Sequence, residues 1–228
     1  LYDLYDRSSS RRHIQDNGNM LVLNCGGPQW THPADDIVFE SDEKYLVSSP
    51  SLRMARKIGG GWHPHPKWSE ESRNKYAGYI QSSSTYSPYC TWRQRRGGSL
   101  IYNLPVRASG KYLLELHFIE EGYQTKDQHN MDVIVNGSVI KHNFDVYKEG
   151  GYRKCVVVVL SSLLQLSTSL TLTLRPTKRN TQDPHQISES FVNMIVLQRH
   201  GSLTNGEDEA LERPPTKCLS FWPQGGTS

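Results

Sequence analysis

The clearest pattern of apolar and polar positions in this chain is the alternation within Lys111–Val146. Tyr112, Leu114, Leu116 and Phe118 alternate with Leu113, Glu115 and His117, the period of a strand with one buried face. Met131–Val135 reads as a second strand and Val139–His142 as a third. Asn136 and Gly137 stand between them, the pair most favoured in a two-residue hairpin, because a type I′ turn needs positive φ at both central residues. The loop joining the first two strands, Glu120–Asn130, is polar and carries one aromatic, Tyr123. A polar loop on a rigid sheet is a common binding rim.

The pattern extends in both directions. Met20–Asn24 predicts a short buried strand closed by the turn cluster Gly26-Gly27-Pro28. Ile37–Phe39 predicts another, before the acidic Glu40–Glu43, and Ser51–Lys57 predicts one or two helical turns. Pro50–Pro88 is a long irregular insertion, with Gly59–Gly61 and the run Trp62-His63-Pro64-His65-Pro66. Leu100–Val106 is a strand in which Pro105 marks an end or an edge. The unbroken valines of Arg153–Leu160 predict a fully buried strand, and Leu170, Leu172 and Leu174, alternating with threonines, a half-buried one. Thr177–Gln186 is a polar loop, and Phe191–Gln198 closes the domain. About eight short strands with almost no helix make an all-β, jelly-roll-like β-sandwich. The expected division is a polar arm over 1–19, one sandwich domain over 20–198 and a polar tail over 199–228, both termini being flexible.

Composition removes several functions. The 228 residues suffice for a sizeable core. A net charge of +3, from 26 basic and 23 acidic side chains, is too even for a phosphate-backbone binder, so no nucleic acid is expected. That holds although Tyr76, Tyr79, Tyr86, Tyr89 and Trp92 interleave with Arg93, Arg95 and Arg96 as a base-stacking platform would. No apolar run is long enough to span a membrane.

Cys25, Cys90, Cys155 and Cys218 lack metal-ligand spacing. Cys25 and Cys155 lie in apolar runs and are expected as buried free thiols rather than a disulfide framework, which points to a reducing compartment. Against that, Asn136-Gly137-Ser138 fits an N-glycosylation acceptor as well as it fits a turn. His63 and His65 have no evident third ligand, so no metal is expected. Asp35 with Asp36, and Glu120 with Glu121, are strand neighbours that point to opposite faces, unlike a glycosidase pair. Gly59–Gly61 lacks the lysine of a phosphate loop, and no Gly-x-Ser-x-Gly elbow is present. Neither a catalytic residue nor a cofactor is expected. Asp132 and Asp145 are expected to hold turns or strand ends.

Several blocks, taken in order, then resemble the malectin and malectin-like domain family. They are Asn24-Cys25-Gly26-Gly27, Ile37–Phe39 with Asp42, Tyr89–Arg93, Tyr102–Val106, Gly110–Tyr112, Leu116–Glu120, Met131–Gly137 and Asn143–Asp145. The resemblance covers roughly Met20–Gln198. It implies a galactose-binding-like sandwich with a sugar site at one end, where a glucose-containing glycan packs its C–H face on aromatic rings and gives its hydroxyls to a carboxylate. Residue by residue, Tyr89, with Trp92 beside it, and Tyr123 match pocket aromatics, and Asp183 or Glu189 matches the pocket acid. Gly122 and Met54 stand where the family has further rings, which Trp62, Trp68, Tyr76 or Tyr79 would replace. The implied function is a non-catalytic carbohydrate-binding module of a larger protein. The alternative is a protein-docking module with a degenerate sugar site, as in cytoskeletal or kinesin-related motor proteins. The family implies the secretory lumen or cell surface; free cysteines would imply cytoplasm.

Overall fold

The computed structural model describes residues 20–32, 37–48, 51–57, 61–64, 91–106, 108–120, 124–177 and 189–199. Among them the largest sheet sets β11 (Cys155–Leu166), β8 (Gly110–Ile119), β14 (Met194–Arg199), β1 (Met20–Asn24), β3 (Val38–Ser41) and β2 (Trp30–Thr31) side by side. A second sheet runs β10 (Ser138–Asp145), β9 (Asn130–Val135), β12 (Ser169–Pro176) and β7 (Leu100–Pro105). A third runs β13 (Glu189–Val192), β6 (Thr91–Arg96), β4 (Leu52–Lys57) and β5 (Gly61–Pro64). A short helix, α1 (Val146–Gly150), is capped by Asp145, whose carboxylate accepts from the Lys148 N–H at 3.2 Å.

Alternation is what buries the core. Tyr112, Leu114, Leu116 and Phe118 of β8 meet Leu100 and Leu104 of β7, Val133 of β9 and Leu170, Leu172 and Leu174 of β12 in one cluster. Phe191 and Val192 bring the third sheet into it. The Phe118 ring stands edge-on to Phe144 at 5.2 Å and to Phe191 at 5.9 Å. The neighbouring positions Val22, Ile119 and Met194 join Trp30 and Phe39 in a second cluster. At the β9–β10 turn, Asn136 and Gly137 have φ of 48° and 82°, as a type I′ turn requires.

Asp42 ties the three sheets together. It is fully buried in a 3₁₀ turn directly after β3. Arg93 of β6 donates to it from Nε at 2.9 Å and from Nη2 at 2.5 Å. The Tyr102 hydroxyl of β7 donates at 2.9 Å, and the Gly26 N–H at 3.1 Å. Gly26 has φ of 76°, and a Cβ there would lie 2.2 Å from the Trp92 carbonyl oxygen, so the turn needs glycine. Thr91 donates to Asn24 Oδ1 at 2.8 Å. Asn24-Cys25-Gly26, Asp42, Thr91–Arg93 and Tyr102 thus converge on one buried point.

Four expectations change. Leu52–Lys57 is strand β4, not helix: Met54 pairs with Pro64 of β5 and with Trp92 of β6, and sheet pairing overrides local preference. The closing segment is two strands, broken at Asn193. That buried side chain accepts from the Ile119 N–H at 2.8 Å and donates to the Thr91 carbonyl at 3.0 Å, passing the chain from the third sheet to the first. β11 is an edge strand, so Val156, Val157 and Val159 are only half-buried. Cys155 is disulfide-bonded, while Cys25 is free and buried, so the partner of Cys155 lies outside the described residues. A half-exposed edge position leaves that sulfur reachable by another segment. Burial pushes the Cys25 thiol well above its ordinary pKa, and nearby Asp42 adds to the effect, which makes it unreactive. Asp132 and Asp145 are structural as expected. Asp132 accepts from Arg175 at 2.7 Å and from the Asn143 N–H at 2.9 Å.

Removing one partner of a buried ion pair leaves an uncompensated charge. Asp42→Ala is therefore expected to cost about 3–5 kcal/mol in urea unfolding. Tyr102→Phe, which leaves the ion pair intact, is expected to cost about 1–2 kcal/mol.

Candidate functional site

Four chain ends meet at one edge of the sandwich. β8 ends at Ile119, β9 begins at Asn130, β13 begins at Glu189, and β6 ends at Arg96, which pairs with Glu189 in register. Glu120 continues the inward-facing alternation of β8 one step beyond the strand, so its carboxylate is buried. His129, just before β9, is buried against it, with Nδ1 at 2.7 Å from Glu120 Oε2. Its Nε2 lies 3.0 Å from Glu189 Oε2. Gln94 Nε2 also donates to Glu189 Oε2, and Arg96 Nε lies 2.7 Å from Glu189 Oε1. The half-buried Trp92 donates from its indole N–H to Gln94 Oε1 at 3.2 Å. The His129 ring lies tilted against that of Phe191, with centroids 5.0 Å apart, and Phe191 belongs to the core. The Asp127 N–H donates to Asp145 at 2.6 Å, fixing the 124–129 loop on the side of β10.

A neutral imidazole has one N–H and meets one of two carboxylates with a lone pair; an imidazolium donates to both. Burial, the largest single influence on His129, opposes its charge. The hydrogen bonds to Glu120 and Glu189 together outweigh that, and its pKa is raised above the ordinary value. Of Glu120, His129, Glu189 and Arg96, only Arg96 reaches solvent (57% exposed).

Of the residues singled out in the sequence, Trp92 and Glu189 are brought together, joined through Gln94. Tyr89, Tyr123 and Asp183 lie outside the described residues, as do Trp68, Tyr76 and Tyr79. Trp62 belongs to β5, opposite Arg56 of β4. The Glu189 carboxylate faces inward and receives donors from Arg96, Gln94 and His129, close to the four acceptor sites that a carboxylate has. It braces the rim. Reading the sequence missed Gln94, Glu120 and His129 as a group. Glu120 had a signal in the parity of β8; His129 had none. Among the described residues, no group of three or more His, Cys, Asp or Glu is arranged to hold a metal ion.

The raised His129 pKa gives stability a sign with pH. Its contribution is fully present below about pH 6.5, the unfolded value, and is lost as pH rises through the higher folded value. The urea midpoint is expected to fall as pH is raised from about 6.5 through that higher value. His129→Gln is expected to flatten that part of the profile. A wild-type midpoint that rises over this window would contradict the charged bridge.

Comparison with known proteins adds the following. The family described as Malectin domain matches residues 19–169. Comparison with curated proteins returns no match. Among solved structures, the ANXUR2 extracellular domain from Arabidopsis thaliana is similar, with a TM-score of 0.57 and 14% identity over 80% of this chain and 49% of that one. The plant receptor-like kinase FER aligns with a TM-score of 0.54 and 20% identity over 82% of this chain and 43% of that one. A chain in the structure of the plant peptide RALF23 in complex with FER and LLG2 aligns at 0.59 and 15%, over 80% and 49%. At these identities the likeness is one of fold, and the chain spans about half the length of those neighbours. The β architecture is in keeping with the family match over 19–169: this chain belongs to the malectin-domain family.

Proposed function

We propose that this domain is a non-catalytic recognition module, working on the extracellular side of a membrane and holding a peptide or protein ligand at the loop end of its sandwich. The observation that carries this reading is the inward engagement of Glu189 by Arg96, Gln94 and His129. A sugar hydroxyl needs an acceptor with an open lone pair, and this carboxylate spends its capacity on the protein. A rim braced from below in this way suits a larger ligand that brings its own hydrogen-bonded backbone. The similarity in fold to a chain of the RALF23 complex supports the peptide reading. The Cys155 disulfide supports an oxidising compartment, in line with the extracellular domains among the neighbours.

A second reading, carbohydrate, is favoured by the family match and by the half-buried Trp92 indole beside the Glu189 group. In it, Tyr89 and Tyr123 are stacking walls and Asp183 is the acid that takes the hydroxyls.

The two separate in one comparison. The domain is applied to a glycan array and, in parallel, selected against a displayed peptide library. The peptide reading expects no glycan above background and a selected consensus that Tyr123→Ala weakens about ten-fold or more. Glucose-containing glycans that bind, and lose binding with Tyr89→Ala, would overturn it in favour of carbohydrate.

A further inference from the structure

Asn136 opens the turn between β9 and β10 in the sequence Asn136-Gly137-Ser138, the sole Asn-x-Ser/Thr in the chain. All three residues are exposed. A Cβ built on Gly137 meets nothing within 4 Å, so the turn projects into open space. The Asn136 amide is already oriented. Its backbone N–H donates to the Thr171 carbonyl at 2.9 Å, and its Oδ1 accepts from the Thr171 N–H at 2.9 Å. That arrangement uses the side-chain oxygen and leaves Nδ2, the atom that glycosylation substitutes, with no hydrogen bond among the described residues.

Two further observations point the same way. The disulfide at Cys155 needs the oxidising compartment in which N-glycans are added. And β10, which begins two residues after Asn136, is a sheet edge among the described residues and carries Val139 and Ile140 at 49% and 39% exposure. An apolar edge strand invites edge-to-edge pairing with another chain unless something covers it.

We propose that Asn136 is an N-glycosylation site whose glycan shields the β10 edge. In the transfer, the C1–O bond to the pyrophosphate of a lipid-linked oligosaccharide breaks and a C1–Nδ2 bond forms. The amide gives up one proton, and the lipid pyrophosphate leaves; no oxidant or reductant takes part. The Thr171–Oδ1 bond survives, so the turn keeps its geometry. Asn136 and His129 lie at opposite ends of β9, roughly 20 Å apart at strand rise, so the glycan leaves the rim open. The inference shares only the extracellular setting with the function proposed above.

The test is secretion of the full chain from eukaryotic cells behind a signal peptide, with glycopeptide mapping. The expected result is one glycan on Asn136, removed by peptide-N-glycosidase, absent in Ser138→Ala and retained in Ser138→Thr. Neither substitution touches the Asn136–Thr171 contacts. Sedimentation is expected to show Ser138→Ala self-associating at lower concentration than the glycosylated form, with Ile140→Thr reversing this. Secreted protein with Cys155 oxidised and Asn136 unmodified overturns the site and leaves the recognition reading standing. The same peptide found unmodified in protein taken from its native cells overturns it too. Equal self-association of the two forms overturns the shielding role.

Discussion

One carboxylate holds this domain in register. Asp42 follows a strand of the first sheet, pairs with Arg93 of the third and accepts from Tyr102 of the second. A charge buried this deeply would be intolerable alone; desolvation costs several kcal/mol per ion, and only a well-aligned partner with further hydrogen bonds offsets it. Here the guanidinium approaches through two nitrogens, and a phenol and a backbone N–H take remaining lone pairs. The net gain over an apolar cluster is small in such cases. What the arrangement adds is uniqueness of position: three sheets must meet with every partner present.

The second buried polar group works the same way at the rim. Glu120, His129 and Glu189 close the ends of β8, β9 and β13 against one another, and Arg96 balances the charge from outside. Both groups turn carboxylates inward. The acids at this end of the sandwich therefore stabilise the frame. A frame braced by buried polar groups is how one sandwich fold can carry loops of different chemistry.

The alternating positions made much of the fold legible. Strand β8, the β9–β10 hairpin with its type I′ turn and the half-buried β12 all follow from period-two patterning and one Asn-Gly pair. The failures have physical causes. Leu52–Lys57 carries good helix formers, and only its neighbours β5 and β6 make it a strand. The valines of β11 look buried because runs of β-branched residues fit both central and edge strands, and sequence does not reveal which strand lacks a neighbour. Cys155 was misread for the same reason. Asn193 is a polar interruption whose four backbone and side-chain bonds are all long-range. The site was less legible. Trp92 and Glu189 were singled out in the sequence, whereas the contacts that join His129 and Gln94 to Glu189 span 60 and 95 positions.

Native-state amide hydrogen exchange tests most directly whether Asp42 makes the three sheets one cooperative unit. The amides of Arg93 and Gln94 in β6, Tyr102 in β7 and Leu116 in β8 should exchange through openings of the same free energy, close to that of global unfolding. If β6 and β13 instead open at a much lower free energy while β7 and β8 stay protected, the third sheet is an appendage. The shared carboxylate would then not be what holds the rim in place.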